Sequence, residues 1–158
     1  MDSTLGSMIA LECEALVLRL RPALGASIGV FFRYDGTQDE LVAQHVSSDS
    51  DIRLAATRIA LGQNLSGWVA ANRQQIVNSD AALDLGRVAD EMSPPVKSCM
   101  SMAVTADTEL VGVLSWYAVA RFSVESEALC RRSIDEIIEG ARATEAAQRL
   151  PLRFQVAS

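Results

Sequence analysis

Apolar residues recur at helical spacing from Ser3 to Arg21, at Leu5, Met8, Ile9, Leu16 and Leu20, which predicts an N-terminal helix closed by Pro22 and Gly25. The pattern then changes period. Residues 27–34 (SIGVFFRY) are rich in β-branched and aromatic side chains, and Asp35-Gly36 is a turn signal ahead of a returning strand at 40–46. Residues 49–56 read as a short helix or loop. A brief strand at 59–61, a short helix at 65–72 with Asn64 as its N-cap, and a strand at 75–78 follow. Residues 79–97 read as a long, polar, proline-containing loop, of a length that points either to function or to poor order. A second hairpin joins 99–105 to 109–119 across Ala106-Asp107-Thr108. Ser123 caps a final helix running to about Arg149, with Cys130, Ile134, Ile137, Ile138 and Ala141 on one face and Leu150-Pro151 as its stop.

The strands do not alternate apolar with polar. Val30, Phe31 and Phe32 are consecutive, as are Leu110 and Val111 and then Val113 and Leu114. Successive side chains point to opposite faces of a strand, so both faces of this sheet must be covered. The terminal helices can cover one face, and residues 59–97 must cover the other. A loop-rich lid over an apolar sheet face is a place for a small-molecule pocket.

Composition narrows the class. The chain of 158 residues, 49% hydrophobic and 22% charged, fits one globular domain over residues 1–158, with its core at 27–122. A net charge of −6 with scattered basic residues argues against nucleic acid as partner. Cys13, Cys99 and Cys130 lie far apart, which suits neither a disulfide framework nor a zinc site and reads as core thiols in a reducing compartment. No apolar run is long enough to cross a bilayer, and the start lacks the basic flank of a signal peptide. The expected location is the cytoplasm, with no membrane partner.

The middle of the chain carries a resemblance. Gly62-Gln-Asn-Leu-Ser-Gly-Trp-Val-Ala-Ala-Asn-Arg-Gln-Gln-Ile-Val-Asn-Ser-Asp resembles the central signature of GAF domains, in which a glycine-rich turn, a short helix, an Ile-Val-Asn strand and an Asp follow in this order. Leu110-Val-Gly-Val-Leu-Ser-Trp-Tyr is similar to the family's Leu-Ile-Gly-Val-Leu strand, and a Phe-Ser pair (Phe122-Ser123) then opens the last helix. The resemblance covers roughly residues 5–148. It implies an α+β fold, a GAF-like (profilin-like) α/β/α sandwich around a six-stranded antiparallel sheet. It also implies a regulatory role ahead of an output domain of histidine kinase, diguanylate cyclase or phosphohydrolase type. No such domain lies in these residues, so the chain is expected to be a fragment or to act on a separate partner.

Other chemistry finds little support. The only histidine, His45, lies in a predicted strand away from any nucleophilic serine, and Asn64 replaces the first glycine of a G-x-S-x-G elbow at Ser66. Gly62 and Gly67 have phosphate-loop spacing, but Trp68 stands where that loop needs Lys. His45 has no second ligand for haem, and no cysteine has the neighbouring histidine of bilin-attaching relatives. Cyclic-nucleotide-binding relatives carry Phe, three residues, then Asp-Glu. Asp90-Glu91 is present here, but Gly86 occupies the Phe position, so a cyclic-nucleotide-binding GAF domain stands as the second alternative. An enzyme like the free-methionine-sulfoxide reductases on this fold would need reactive cysteines near the lid, and only Cys99 is near it. The chain is therefore not expected to be an enzyme.

The leading expectation is a small-molecule sensor with an unidentified ligand. Its cavity would lie between the sheet and residues 79–97, with Trp68, Asp80, Asp90, Glu91 and Ser101 as candidate liners. Trp68 and Trp116 also read as core aromatics, and Asp80 as the cap of the following turn. The rival is a pocketless GAF-like scaffold for dimerisation and relay. In both, a homodimer through the terminal helices is expected, because the apolar stripe of the last helix continues at Ala143, Ala146, Ala147 and Leu150.

Overall fold

In the computed structural model of the chain, which describes residues 3–50, 52–54 and 56–150, Ser3 accepts a hydrogen bond from the Gly6 N–H and opens helix α1, Thr4–Leu24. Pro22 does not stop this helix. The backbone continues one more turn to Leu24, held by the burial of Leu20 and Leu24, and Gly25 ends it in the left-handed conformation (φ 68°).

Strands β1 (Ile28–Asp35) and β2 (Glu40–Ser48) form the first hairpin, and β3 (Arg58–Ala60) adds to its edge. Helix α2 (Asn64–Asn72) and strand β4 (Gln75–Asp80) follow. Strands β5 (Ser98–Ala106) and β6 (Glu109–Ala118) form the second hairpin, turning at Asp107-Thr108 with Asp107 at φ 58°. All pairings are antiparallel, in one six-stranded sheet of order β3-β2-β1-β6-β5-β4. Ser123 caps the last helix, α5 (Val124–Gln148). Pro151, read as its stop, lies outside the described residues, as do two positions within the stretch 49–56.

Adjacent apolar residues divide between the faces, as the sequence pattern requires. Phe31, Met100, Met102, Leu114 and Trp116 pack under α1 and α5, against Ile9, Cys13, Leu16, Cys130 and Ile134. Phe32, Cys99, Val113 and Tyr117 point the other way, toward Val69, Ala70, Leu85, Ala89 and Val96. Each fully buried large side chain here contributes about 1.5–3 kcal/mol.

The covering of that second face corrects the expectation of a long loop at 79–97. Strand β4 runs on to Asp80, and two short helices follow, α3 (Ala82–Leu85) and α4 (Arg87–Glu91). Ala81, Leu85 and Ala89, four residues apart, turn inward and are buried on the sheet. Apolar residues outside the period, the exposed Leu83 and the half-buried Val88, and a positive-φ break at Gly86 (φ 57°) hide this period in the sequence.

Candidate functional site

Ser101 on β5 and Ser115 on β6 face each other across the ladder, and both are fully buried. Their hydroxyls lie 2.8 Å apart, and Ser115 Oγ lies 2.6 Å from the equally buried Ser66 Oγ on α2. Ser66 donates in turn to Asp84 Oδ2 on α3, over 2.5 Å. Tyr117 donates to the same oxygen over 2.7 Å. The second carboxylate oxygen, Oδ1, accepts from the backbone N–H groups of Leu65 (2.8 Å) and Ser66 (3.0 Å).

Asp84 thus caps α2 from another helix, 18–19 residues along the chain. A carboxylate there satisfies two orphan N–H groups and meets the positive end of the helix dipole. Asn64, expected as the cap, instead starts α2 at φ 56°, and the N-cap Gln63 makes no side-chain cap bond. Proton counting orders the hydroxyls. The carboxylate accepts from Ser66, so Ser115 donates to Ser66 and Ser101 to Ser115. Burial, and then the Asp84 carboxylate, push both the Tyr117 hydroxyl and the Cys99 thiol well above their usual ranges. Both stay protonated beside it.

The sequence-derived liners divide. Ser101 is buried at the end of the serine chain. Asp90 and Glu91 are exposed neighbours on α4, and Asp80 is exposed at the end of β4, where it caps the next turn through the Ala82 N–H. Trp68 is 43% exposed, because α2 turns Ser66, Val69 and Ala70 inward, so it is not the core aromatic that Trp116 is. Ser101 therefore does not share a wall with the four exposed side chains. The space between the sheet and residues 81–97 is occupied by Leu85, Ala89, Val96, Phe32 and Cys99. Glu91 does border a cleft of about 440 Å³, with Val88 and Met92 on one side and Ser50, Ile52 and Arg53 on the other.

A sequence profile described as the GAF domain matches residues 13–137. The chain belongs to the GAF domain family. No curated protein sequence matches it. Among solved structures, it is similar to the GAF domain of a phosphoenolpyruvate-protein phosphotransferase from Coxiella burnetii (23% identity, TM-score 0.67, 87% of this chain and 86% of that one). It is also similar to the second GAF domain of DevS from Mycobacterium smegmatis (14%, TM-score 0.66, 90% and 99%). A third is the free methionine-R-sulfoxide reductase of Neisseria meningitidis in complex with its substrate (20%, TM-score 0.58, 87% and 84%). At these identities the likeness shows the fold.

In this GAF domain the cysteines are buried and held as thiols. Burial raises Cys13 well above its ordinary range and pushes Cys130 up to about 11. A thiol needs the thiolate form to act as a nucleophile, so these three are poorly placed for that chemistry. Gly86 sits at the joint of α3 and α4 in a positive-φ conformation that strains the backbone of any residue with a side chain, although the space beside it is open. Among the described residues, no group of three His, Cys, Asp or Glu side chains is placed to hold a metal ion, and no helix is long and apolar enough to cross a membrane.

Sequence reasoning missed Asp84, Ser115 and Tyr117, and weighed Ser66 only as a failed nucleophile. Ser101 and Ser115 each interrupt an apolar strand, but counting back from the Asp107-Thr108 turn sets Ser101 opposite Leu114; only the register shift between Val104 and Thr105, which the sequence does not mark, brings it opposite Ser115.

Proposed function

We propose that this GAF domain is a regulatory relay, which pairs with a second copy through α1 and α5 and passes a change of state along those helices to an output domain. A histidine kinase, diguanylate cyclase or phosphohydrolase, on the same protein or a partner, would be the receiver. The carrying observation is on α1. Leu11 and Leu18, one heptad apart, are 66% and 62% exposed, and Leu11 borders a groove of about 460 Å³ between α1 and α5. Met8, Ile137 and Gly140 line that groove, and Glu12, Glu136 and Arg19 supply both signs of charge around it. An exposed apolar stripe rimmed by mixed charge suits an isologous pairing, in which one patch meets its own copy. Small rotations of paired helices are an established way to carry a signal. Sedimentation equilibrium at micromolar concentration tests this: the expected result is a dimer that Leu11→Glu with Leu18→Glu converts to a monomer. A monomeric unaltered chain would overturn it.

A second reading, small-molecule sensing, is favoured by the cleft beside Glu91. Ile52, Val88 and Met92 give it an apolar lining, and Arg53 and Glu91 give it charges of both signs. Native mass spectrometry of protein purified from its own host would reveal a retained ligand. Substituting Arg53 and Glu91 by Ala should release it.

A further inference from the structure

Asp84 belongs to the cover of the sheet, yet the four hydrogen bonds its carboxylate accepts come from outside that cover, from Leu65, Ser66 (twice) and Tyr117. The rest of the cover is lightly attached. Its buried apolar contacts are Ala81, Leu85, Ala89 and Val96, of which two are alanines, with Val88 and Met92 packed half-buried beside them. Its two ends are tied to each other by the Ala81 N–H to the Lys97 carbonyl (3.0 Å), and Lys97 donates to Ala118 on β6 (2.8 Å). Beyond these ends, Asp80 pairs with Ser98 and Ser79 with Cys99 in the sheet. Residues 81–97 therefore form a closed loop with adjacent, anchored feet and a polar pin at Asp84, three residues in from the first foot.

At the pin itself the apolar face gives way to hydroxyls. Ser66, Ser101, Ser115 and Tyr117 gather there, although an apolar floor would pack as well without the demand that every hydroxyl find a partner. We propose that Asp84 is a releasable latch: it holds residues 81–97 shut, and its withdrawal lets this segment open over the apolar face at Phe32 and Cys99, with the Ser66 and Tyr117 hydroxyls at its edge. The geometry makes opening concerted, because the carboxylate oxygens are shared between α2 and β6 and leave both at once. The inference goes beyond the relay reading and does not depend on the oligomeric state.

Native-state hydrogen exchange of the full chain tests it, comparing the unaltered protein with Asp84→Ala and Tyr117→Phe. With Asp84→Ala, amides at 81–97 and those of Leu65 and Ser66 should exchange ~10–100-fold faster, as expected for losing bonds to a charged group. The central β1–β6 ladder should change much less. Tyr117→Phe, which removes one bond, should give a smaller rise at the same sites and serves if the alanine variant does not fold. A uniform rise over the whole sheet would mean that Asp84 is only a global stabiliser, and no change at 81–97 would mean that it is not the pin. Either result overturns the proposal. A monomer with the expected exchange pattern would sink the relay and leave the latch standing.

Discussion

Gly67 in α2 lies directly against the carbonyl oxygen of Ala60 in β3: a Cβ at position 67 would fall 2.5 Å from that oxygen and 3.1 Å from Ile59 Cγ2. The Gly62 N–H also donates to the Gly67 carbonyl (2.8 Å), so the turn and the first part of α2 are drawn onto the edge of the sheet. This approach sets the depth at which Ser66 meets Ser115.

Gly67→Ala is accordingly expected to destabilise the domain. The added methyl meets backbone, which cannot rotate away, so α2 must lift. A cost of about 1–3 kcal/mol follows from forced overpacking. Urea denaturation would read it, and an unchanged midpoint would show that α2 is not held by this contact.

Asn78 clasps the entrance to the last helix. Its Oδ1 accepts from the Phe122 N–H (2.6 Å), and its Nδ2 donates to the Phe122 carbonyl (3.0 Å). It does so from a left-handed backbone (φ 61°) at the irregularity in the β4–β5 register. Asn78→Ala removes both bonds and places alanine in that conformation, for a loss of about 2–4 kcal/mol. Asn78→Gly removes the bonds without the backbone strain and should retain roughly 1 kcal/mol more. Equal losses for the two variants would show that the backbone term is absent.

The sheet was legible in the sequence because neighbouring residues had to face opposite ways: Phe31 and Phe32, and Trp116 and Tyr117, divide between the two cores as a strand period of two demands. The covering helices α3 and α4 were not legible. Each is too short for a helical period to emerge, and Gly86 breaks the run of Ala81, Leu85 and Ala89. The site failed for a different reason. Local capping rules look one to three residues ahead, and they point to Asn64, whereas Asp84 arrives from a different helix. A cap supplied through space leaves no signature in any local window.

The buried thiols and phenol make alkali destabilising. Cys130 titrates near 11 in the fold against an ordinary 9.0, and Cys13, Cys99 and Tyr117 are also raised. A raised pKa means that the unfolded chain loses its proton first. Stability is therefore full below about pH 9 and falls as pH rises toward 11, with Cys130 alone contributing on the order of 2–3 kcal/mol of that loss. Thermal melts from pH 8 to 11 should show the decline. At pH 8 a thiol-reactive dye should label the native protein slowly and the urea-unfolded protein at all three cysteines. Rapid native labelling would contradict the burial.

The serine chain has a direction, and its direction predicts an asymmetry. Ser101 stands at the far end and, by the proton count, donates to Ser115, which donates to Ser66. Ser101→Ala removes the terminal donor and leaves Ser115 still donating to Ser66, so its cost should be below about 1 kcal/mol. Ser115→Ala removes the middle link and leaves the fully buried Ser101 without the hydroxyl it donates to. That orphaned donor carries a desolvation penalty of about 1–3 kcal/mol. In Ser101→Ala with Ser115→Ala no orphan remains, because Ser66 keeps its bond to Asp84. The double variant should then be more stable than Ser115→Ala alone by roughly 1 kcal/mol, a negative coupling that a double-mutant cycle measures directly. Strict additivity of the two single losses would mean that the hydroxyls do not depend on each other, and the ordered chain leading to Asp84 would have to be abandoned.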